Sequence, residues 1–506
     1  MRQKAGKRVL FVPSLRRADG PYRLKRSFRF AAELGEEAAV YVGDERQEDV
    51  YTRDEIYKVF GFPKGKALKD IQSVVMWDLI VLAKGRTTVD DFSMFSSHTS
   101  LVVGIDEEGP ARSYIPYLID TLPCLPPNPN VASAAFLDLP PRQHEVSPEV
   151  KKLLLVFPGN AYEESAPHVA EILVKEGFSG QDMVSAAAYP APSHPAFPSS
   201  VSFLNPANLT EQFFKYDALI TSCPYTAVES VHAGVPTLCV ASQTEEAERF
   251  RRLGLPEIGG SELKRDILMR FIRKPERLLD QARDLLTDRR RSLSLFLTEL
   301  EDGDGSACPS CRRGGNEIVF REEHRSFFLC SGCGTVYSRR FSRQAAPSKR
   351  QRDAKEGGVS LEHMESFRNL SVRRLLTIKF LLGAGRGELL DVGCSYGAFG
   401  SVASDEGFTP YCLDRDSGAV SYVRDILGLA SFASRFEDLD PRKSGLPDAF
   451  DVITIWGIFD HFADLDSVLR KLNTLLRKGG VLALASANLG GAGGKKNLGE
   501  FLSSLP

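Results

Sequence analysis

Short apolar runs alternate with longer amphipathic segments along the first 300 residues of the chain. The runs at residues 8–12, 38–43, 77–83 and 101–106 have the length and composition of buried parallel strands. Their alternation with helix-length segments predicts a doubly wound α/β lobe over residues 1–130. The proline-rich stretch TLPCLPPNPN ends this lobe and marks a linker.

A second series of the same kind follows the linker. Its apolar runs lie at residues 152–157, 202–206, 217–222 and 236–241, and a charged, helical segment follows from residue 261. They predict a second α/β lobe over residues 131–300. Two such lobes leave a cleft between them, which is the default place for a ligand.

Four of the nine cysteines form two C-x2-C pairs that are separated by eighteen residues, namely Cys308, Cys311, Cys330 and Cys333. Each pair can place two thiolates on one tight turn, so that four sulfurs surround one metal ion. The alternating sequence between the pairs is typical of a β-hairpin, and the whole pattern predicts a zinc ribbon over residues 305–340. Four thiolates leave no open coordination position, so the zinc would be structural; two disulfides are the alternative.

A third α/β segment starts with the apolar run that ends at Asp391. It continues as LLDVGCSYGAFG, a turn that contains Gly393, Ser395 and Gly397 before a predicted helix. Asp414 ends the next predicted strand, where a carboxylate can accept hydrogen bonds from both hydroxyls of a ribose. These residues predict a nucleoside-containing cofactor, and a dinucleotide-dependent dehydrogenase shares this much of the pattern.

Residues 370–488 resemble class I methyltransferases that use S-adenosylmethionine, in the turn above, in RFEDLD at 435–440 and in the stretch from residue 450 to 488. The resemblance implies a cofactor site formed by Asp391, Gly393, Ser395, Gly397 and Asp414, with Glu437 or Asp438 beside the adenine and Trp456 and Gly457 lining the sulfonium pocket. His461 is the candidate general base, although a structural role is the alternative. We assign residues 370–506 to this domain and expect its sheet to lack the last two strands, because only 18 residues follow Asn488.

Two segments of the front half, DGPYRLKRSFRFAAEL and YDALITSCPYTAVESVHAGVPTLCVA, resemble proteins of the glycosyltransferase B architecture. The closest likeness is to the nucleotide-sugar hydrolase of pseudaminic acid synthesis and to spore-coat-polysaccharide proteins. It implies that Thr226 lies at the phosphates and Glu229 at ribose or sugar hydroxyls, and Arg26 stands near the position of the family's arginine. Asp106 is a further candidate substrate contact because it follows the carboxyl end of a predicted strand, on the ligand side of a sheet; an ordinary loop acid is the alternative. An ordinary strand-to-helix turn with a surface glutamate is the alternative for Thr226 and Glu229.

The front half departs from that family where a histidine is usual. Tyr22 and Arg23 stand there, and an arginine side chain cannot accept a proton at physiological pH. Pro224 and Tyr225 replace small residues that would let the backbone approach a phosphate. These departures put hydrolysis by the family's mechanism in doubt and leave binding of a nucleotide-sugar as the expectation.

Charge and composition add no further partner. Lys and Arg number 64 and Asp and Glu 66, so no overall field attracts nucleic acid or acidic membranes. We interpret the basic stretch within residues 341–369 as a solvated linker. The apolar runs fall short of the about 18 residues of a membrane helix and of a signal-peptide core, so we expect a cytoplasmic protein.

The fold class predicted is α/β: a two-lobed Rossmann-like domain of glycosyltransferase B type, a zinc ribbon and a shortened class I methyltransferase domain. A zinc ribbon ahead of such a domain is similar to methyltransferases that act on sugars and surface polysaccharides. This implies methylation of a sugar or nucleotide-sugar, with the front domain or another subunit completing the acceptor site. The alternatives are a front domain that transfers or hydrolyses a nucleotide-linked sugar beside a degenerate methyltransferase domain, and a non-catalytic binding protein.

Overall fold

The computed structural model describes residues 7–43, 50–60, 64–71, 76–99, 101–122, 128–137, 139–140, 147, 149–158, 161–178, 183–186, 202–203, 209–241, 244–255, 257–259, 263, 265–275, 292–302, 307–314, 316–341, 361–462 and 464–503. The chain forms two compact units, unit 1 over residues 1–344 and unit 2 over residues 345–506. Among the described residues, no helix combines the length and the apolar character that crossing a membrane requires.

The first lobe of unit 1 is a parallel sheet. Its strands are β1 (Val9–Pro13), β2 (Ala38–Tyr41), β3 (Ala67–Leu68), β4 (Leu79–Ala83), β5 (Val102–Ile105), β6 (Tyr117–Asp120) and β7 (Val131–Ala132), in the order β3-β2-β1-β4-β5-β6-β7. The helices are α1 (Tyr22–Glu33), α2 (Arg53–Phe60) and α3 (Val89–Ser96), with 3-10 helices at Arg17–Asp19, Gly35–Glu37, Lys64–Lys66, Pro110–Ser113 and Ala134–Phe136. The central strands are buried along their whole length because helices cover both faces of the sheet.

The second lobe of unit 1 repeats the arrangement. Strands β8 (Leu153–Val156), β9 (Met183–Ala186), β10 (Ser202–Phe203), β11 (Ala218–Thr221), β12 (Thr237–Ala241) and β13 (Glu257–Gly259) pair in parallel in the order β10-β9-β8-β11-β12-β13. The helices are α4 (Ala161–Lys175), α5 (Pro224–Ala233), α6 (Thr244–Arg252) and α7 (Arg265–Arg273), with a 3-10 helix at Phe213–Lys215. The next helix, α8 (Leu293–Glu299), was expected in this lobe but packs against the first one, because Leu293 and Leu297 are buried in the hydrophobic core around α1. The predicted strands of both lobes are confirmed, as is the parallel character of the two sheets.

The ribbon belongs to unit 1 and packs against its first lobe. Antiparallel strands β14 (Glu317–Glu322), β15 (Arg325–Leu329) and β16 (Val336–Arg340) confirm the predicted hairpin and extend it by one strand. Arg321 donates to the backbone carbonyls of Arg112, 2.6 Å away, and Ile115, 3.1 Å away. Ser326 donates to the carbonyl of Pro116 at 2.7 Å. The ribbon is therefore held by buried hydrogen bonds.

Unit 2 contains a third parallel sheet, with strands β17 (Glu388–Val392), β18 (Thr409–Asp414), β19 (Ala430–Ala433), β20 (Phe450–Trp456) and β21 (Leu476–Ala485) in the order β19-β18-β17-β20-β21. Its helices are α9 (Leu361–Leu382), α10 (Ala398–Asp405), α11 (Ser417–Asp425), α12 (Pro441–Ser444), α13 (Leu465–Leu475), α14 (Ala492–Lys496) and α15 (Leu498–Ser503), with a 3-10 helix at Phe459–His461. After β21 the described residues form only the two short helices, and the sheet formed by the described residues of unit 2 has five strands. The strand order reverses between β17 and β20, which places a crevice at their carboxyl ends.

One boundary differs from the sequence prediction. Residues 361–369, which we expected in the basic linker, form the start of helix α9. The sequence LEHMESFRNL contains neither glycine nor proline, so nothing interrupts a helix there. Most of the predicted linker, residues 342–360, lies outside the described residues.

Candidate functional site

The turn after β17 is built from left-handed residues. Gly393, Ser395 and Gly397 have φ angles of 75°, 49° and 74°. A Cβ atom on Gly393 would lie 2.4 Å from the Ile458 side chain, so a larger residue would have to displace Ile458 in addition to adopting the left-handed backbone. Ser395 adopts a conformation that costs a non-glycine residue free energy, and the surrounding hydrogen bonds must hold it there.

Asp414 holds this turn. One carboxylate oxygen of Asp414 accepts a hydrogen bond from the backbone N–H of Ser395, and the other accepts from the N–H of Asp416, both at 2.9 Å. The turn after β17 and the end of β18 are thereby fixed to each other. The half-buried carboxylate keeps further lone pairs for a ligand, since each oxygen can accept two hydrogen bonds.

A cavity of about 550 Å³ opens beside this turn. Five of the predicted residues line it, namely Gly393, Ser395, Asp414, Glu437 and His461. Its walls also include four apolar or aromatic residues that the sequence did not single out, Tyr396, Phe436, Ile458 and Phe462. Flat apolar walls beside a carboxylate suit a nucleoside, whose base stacks and whose ribose donates hydrogen bonds.

The other predicted cofactor residues do not line the cavity, namely Asp391, Gly397, Asp438, Trp456 and Gly457. Gly397 precedes α10, and a Cβ atom there would lie 2.9 Å from the side chains of Leu427 and Val423. The role of Gly397 is therefore close packing of the turn. Contact of these five residues with a cofactor stays a prediction.

Asp391 and Trp456 belong to the third sheet, in unit 2. They lie on the face of this sheet that helices α9 and α10 cover. Asp391 is 1% exposed; one carboxylate oxygen accepts from the Thr454 hydroxyl at 2.7 Å, while the other has no partner among the described residues. Burial raises the pKa of Asp391 to about 7. The Trp456 ring packs edge-on against Phe399, and its buried indole N–H also lacks a partner there. These orphaned atoms, together with the left-handed turn at Gly393, fit a polar cofactor.

The four ribbon cysteines converge as the spacing predicted. Their Sγ atoms all lie within 4.8 Å of one another, with 3.7 Å between Cys308 and Cys333 and 3.4 Å between Cys311 and Cys330. A tetrahedral zinc site with Zn–S bonds of about 2.3 Å has sulfur–sulfur distances of about 3.8 Å. All four cysteines are free thiols, so the structure fits a metal site and not the disulfide alternative.

In unit 1, aromatic rings meet between the two lobes. Tyr22 of α1 stacks on Tyr225 of α5, with ring centroids 4.2 Å apart and an angle of 16° between the rings. The guanidinium groups of Arg23 and Arg26 lie 5.9 and 5.5 Å from the Tyr225 ring. Helix α5 begins at Pro224, where the missing N–H costs nothing. The residues that depart from the family pattern thus form a packed contact between the lobes.

The predicted substrate residues Arg26 and Asp106 contact each other. They form an ion pair of 2.9 Å whose side chains are almost completely buried. Asp106 also accepts hydrogen bonds from the backbone N–H groups of Thr121 and Leu122 and from the Thr121 hydroxyl. Both oxygens of Asp106 are therefore used to hold the turn after β6, and substrate contact by this pair stays a prediction.

Thr226 and Glu229 are buried on α5, at 4% and 3% exposure. The alternative interpretation of Glu229 as a surface residue is therefore wrong. One Glu229 oxygen has no hydrogen-bond partner among the described residues. Burial raises the pKa of Glu229 to about 7, against the opposing effects of Tyr22, Lys25 and Arg29. The carboxyl group is therefore placed to bind a polar ligand or to accept a proton.

Comparison with known proteins agrees with the geometry of unit 2. Residues 362–495 match a family described as a methyltransferase domain. No curated protein matches the chain. The matching solved structures include a Pyrococcus horikoshii protein (18% identity over 27% of this chain and 64% of that one, TM-score 0.23) and a plantazolicin methyltransferase solved with a substrate analogue and S-adenosylhomocysteine (16% identity over 28% and 54%, TM-score 0.24).

A protein assigned as a UDP-N-acetylglucosamine 2-epimerase from Listeria monocytogenes matches 58% of this chain and 94% of its own length, with 13% identity and a TM-score of 0.37. At identities this low, the solved structures say nothing of the substrate of this chain. The chain spans about half to two thirds of the length of the first two structures. The family match and the cofactor-sized cavity agree on one conclusion: unit 2 contains a methyltransferase domain.

Proposed function

We propose that this chain transfers a methyl group from S-adenosylmethionine to a sugar or nucleotide-linked sugar in the assembly of a surface polysaccharide. The single observation that supports the cofactor is the cavity at the reversal of strand order in unit 2, where Gly393, Ser395 and Asp414 meet. When bound, S-adenosylmethionine supplies an electrophilic methyl group on a sulfonium sulfur. The remaining tasks fall to residues of the chain.

The residues around the cavity divide these tasks. Asp414, held by two backbone N–H groups, accepts hydrogen bonds from the ribose hydroxyls, and Phe436 supports the base. Glu437, which lines the same cavity, binds the adenine. His461 lines the cavity as well, and its imidazole accepts the proton of an acceptor hydroxyl. Alignment of the acceptor with the methyl group supplies most of the rate enhancement in a displacement of this kind.

A sugar acceptor is supported by unit 1. Its second lobe buries Glu229 with one unpartnered oxygen, close enough to Lys25 and Arg29 for their charges to affect its pKa. Buried carboxylates beside cations bind hydroxyl-rich anions such as nucleotide-sugars, because the carboxylate accepts from hydroxyls and the cations attract phosphate. We assign nucleotide-sugar recognition to Thr226 and Glu229.

The experiment that tests this function uses S-adenosylmethionine with an isotope-labelled methyl group. The purified chain is incubated with separate nucleotide-sugar and polysaccharide fractions, and label in each product is measured by mass spectrometry. Label in a sugar fraction that disappears with Asp414→Ala and persists with Asp425→Ala, a matched change on the exposed end of α11, supports the proposal. Label confined to another class of molecule overturns the sugar acceptor.

The alternative of a nucleotide-sugar hydrolase or glycosyltransferase makes the opposite prediction. Sugar release or transfer without label, lost in Glu229→Gln, would support it. In unit 1, Arg23 donates to Tyr225 at 3.4 Å, where the related family usually has a histidine, so this geometry offers no base at that position. Glu229 is then the group that would have to accept the proton.

A further inference from the structure

Part of the cavity wall in unit 2 is a short loop that follows β19. Four consecutive residues of this loop, 434–437, line the cavity and are called the base loop below. Phe436 is buried, whereas its neighbours Arg435 and Glu437 are exposed. Loops with a single buried side chain are mobile unless another element holds their backbone.

Lys471 of helix α13 holds the backbone of the base loop. Its ammonium group donates hydrogen bonds to the carbonyl oxygen of Phe436 at 2.7 Å and to that of Glu437 at 2.8 Å. The same ammonium group lies 5.3 Å from the centre of the Phe436 ring, within the range of a cation–π contact. One side chain thus fixes two successive carbonyl groups and an aromatic ring.

Helix α13 is a firm support for this lysine. Its apolar face packs into the core of unit 2 through Val468, Leu472 and Leu475. The side chain of Asp464 caps its first turn by accepting a hydrogen bond from the backbone N–H of Ser467 at 3.0 Å. Because groups held by regular elements are placed more precisely than groups on loops, α13 and Lys471 together set the position of the base loop.

The charge of Lys471 also matters, because the base loop leads into an acidic segment. Burial lowers the pKa of Lys471, and the charges of Asp438, Glu437 and Asp440 oppose this effect. Hydrogen bonds from an ionised donor are stronger than those from a neutral one. A neutral side chain at position 471 would therefore remove both the donor to the two carbonyl groups and a positive charge beside three carboxylates.

We infer that Lys471 is a positioning residue for the nucleobase. It fixes the base loop so that the Phe436 ring contacts the flat face of adenine and the Glu437 carboxylate accepts from the adenine amino group. Lys471 does not itself line the cavity and acts through the two carbonyl groups. The inference rests on the proposed function, because it takes the ligand to be S-adenosylmethionine.

The test compares two ligands that differ only in the base. S-adenosylhomocysteine carries adenine, whose amino group donates to Glu437, and S-inosylhomocysteine carries hypoxanthine, which has a carbonyl oxygen at that position. Calorimetric titration of the full chain should show that wild-type protein prefers S-adenosylhomocysteine by at least about 10-fold, because a site that accepts from a donor rejects a ligand without it. Lys471→Met should weaken S-adenosylhomocysteine by about 10-fold and reduce the preference to about threefold or less.

Two further variants serve as controls. Lys471→Arg keeps the charge, and its planar group can donate to both carbonyl groups, so this variant should retain the preference. Lys443→Met removes a positive charge that lies 3.4 Å from Asp440 at an exposed position of α12, and it should change neither affinity. Lys471→Gln, whose amide is too short to reach both carbonyl groups, replaces Lys471→Met if that variant does not fold.

The outcomes separate this inference from the proposed function. Wild-type protein that binds neither ligand would contradict the cofactor assignment itself. Wild-type protein that binds the two ligands equally well, or Lys471→Met with wild-type affinities, would overturn the role of Lys471 alone. A parallel loss of both ligands with an unchanged preference would also overturn it, because Lys471 would then support the fold and not the recognition of the base. An equal effect of Lys443→Met would reduce the role of Lys471 to its charge and would count against the inference as well.

Discussion

The guanidinium group of Arg26 lies 2.9 Å from the Oδ2 atom of Asp106, and the two side chains are only 3% and 2% exposed. Arg26 belongs to α1 and Asp106 follows β5, so the pair joins two elements of the first lobe. Asp106 has a positive φ of 51° and binds the turn after β6 through three further hydrogen bonds. Two residues that the sequence predicted as substrate contacts therefore form a structural unit.

Breaking this pair should destabilise unit 1. We expect Arg26→Met to lower the free energy of unfolding by about 3–5 kcal/mol, because Asp106 would remain as an unpaired buried charge. Removal of the exposed pair between Lys58 and Asp54 by Lys58→Met should cost no more than about 0.5 kcal/mol. Urea unfolding followed by fluorescence measures both. Equal losses in the two variants would contradict the structural role of the buried pair.

Gly393 should be essential for the cofactor cavity. We expect Gly393→Ala to weaken S-adenosylhomocysteine by at least about 10-fold, because the added Cβ atom would meet Ile458 and force the turn to move. Gly445 has a similar φ of 67° but nothing within 4 Å of an added Cβ atom. Gly445→Ala therefore introduces the same unfavourable backbone conformation without a steric clash against a neighbouring side chain. Calorimetry on both variants separates the two effects, and equal affinities would show that crowding is unimportant.

The ribbon should hold one zinc ion. We expect about one zinc per chain in reduced protein, and loss of zinc in Cys311→Ala. Cys239 is a buried thiol of the second lobe, and Cys239→Ala should retain the metal. Because Arg321 and Ser326 bind the first lobe, metal removal should also lower the thermal midpoint of unit 1. Metal analysis and thermal unfolding measure these effects; zinc well below one per chain in wild-type protein would refute the site.

Glu229 should make the stability of unit 1 depend on pH. Its folded-state pKa of about 7 is above the usual value, so folding favours the protonated form. The favourable contribution is complete below the unfolded pKa and is lost as pH rises through the folded pKa, between about pH 4.5 and about pH 7. Glu229→Gln should remove this decline, whereas the exposed change Glu317→Gln should not. Thermal midpoints across this pH range provide the measurement, and parallel curves for wild type and Glu229→Gln would disprove it.

Local signals in the sequence determined most of the architecture. The strands β1, β4, β8 and β11 are recognisable as apolar runs, because both faces of a central parallel strand are buried. The strands β3, β7 and β10 have only two residues each, which is too short for a hydrophobic pattern to be recognised. The two C-x2-C pairs and the turn at Gly393 are also recognisable, since the residues within each pair and within the turn are only a few positions apart. Asp414 could be predicted as a cofactor contact because it ends a recognisable strand.

The tertiary structure decided which polar groups pair and which remain available. Arg26 and Asp106 are 80 positions apart in sequence, and only the packing of α1 on the first sheet reveals that each satisfies the other. Conversely, a surface position was the alternative for Glu229, and only the packing of α5 shows that its carboxyl group is buried with one oxygen unpartnered among the described residues. The residue type decides whether a side chain can carry a charge. The free energy of that charge in the folded protein depends on burial and on partners from distant segments, and a local sequence pattern contains no information on either.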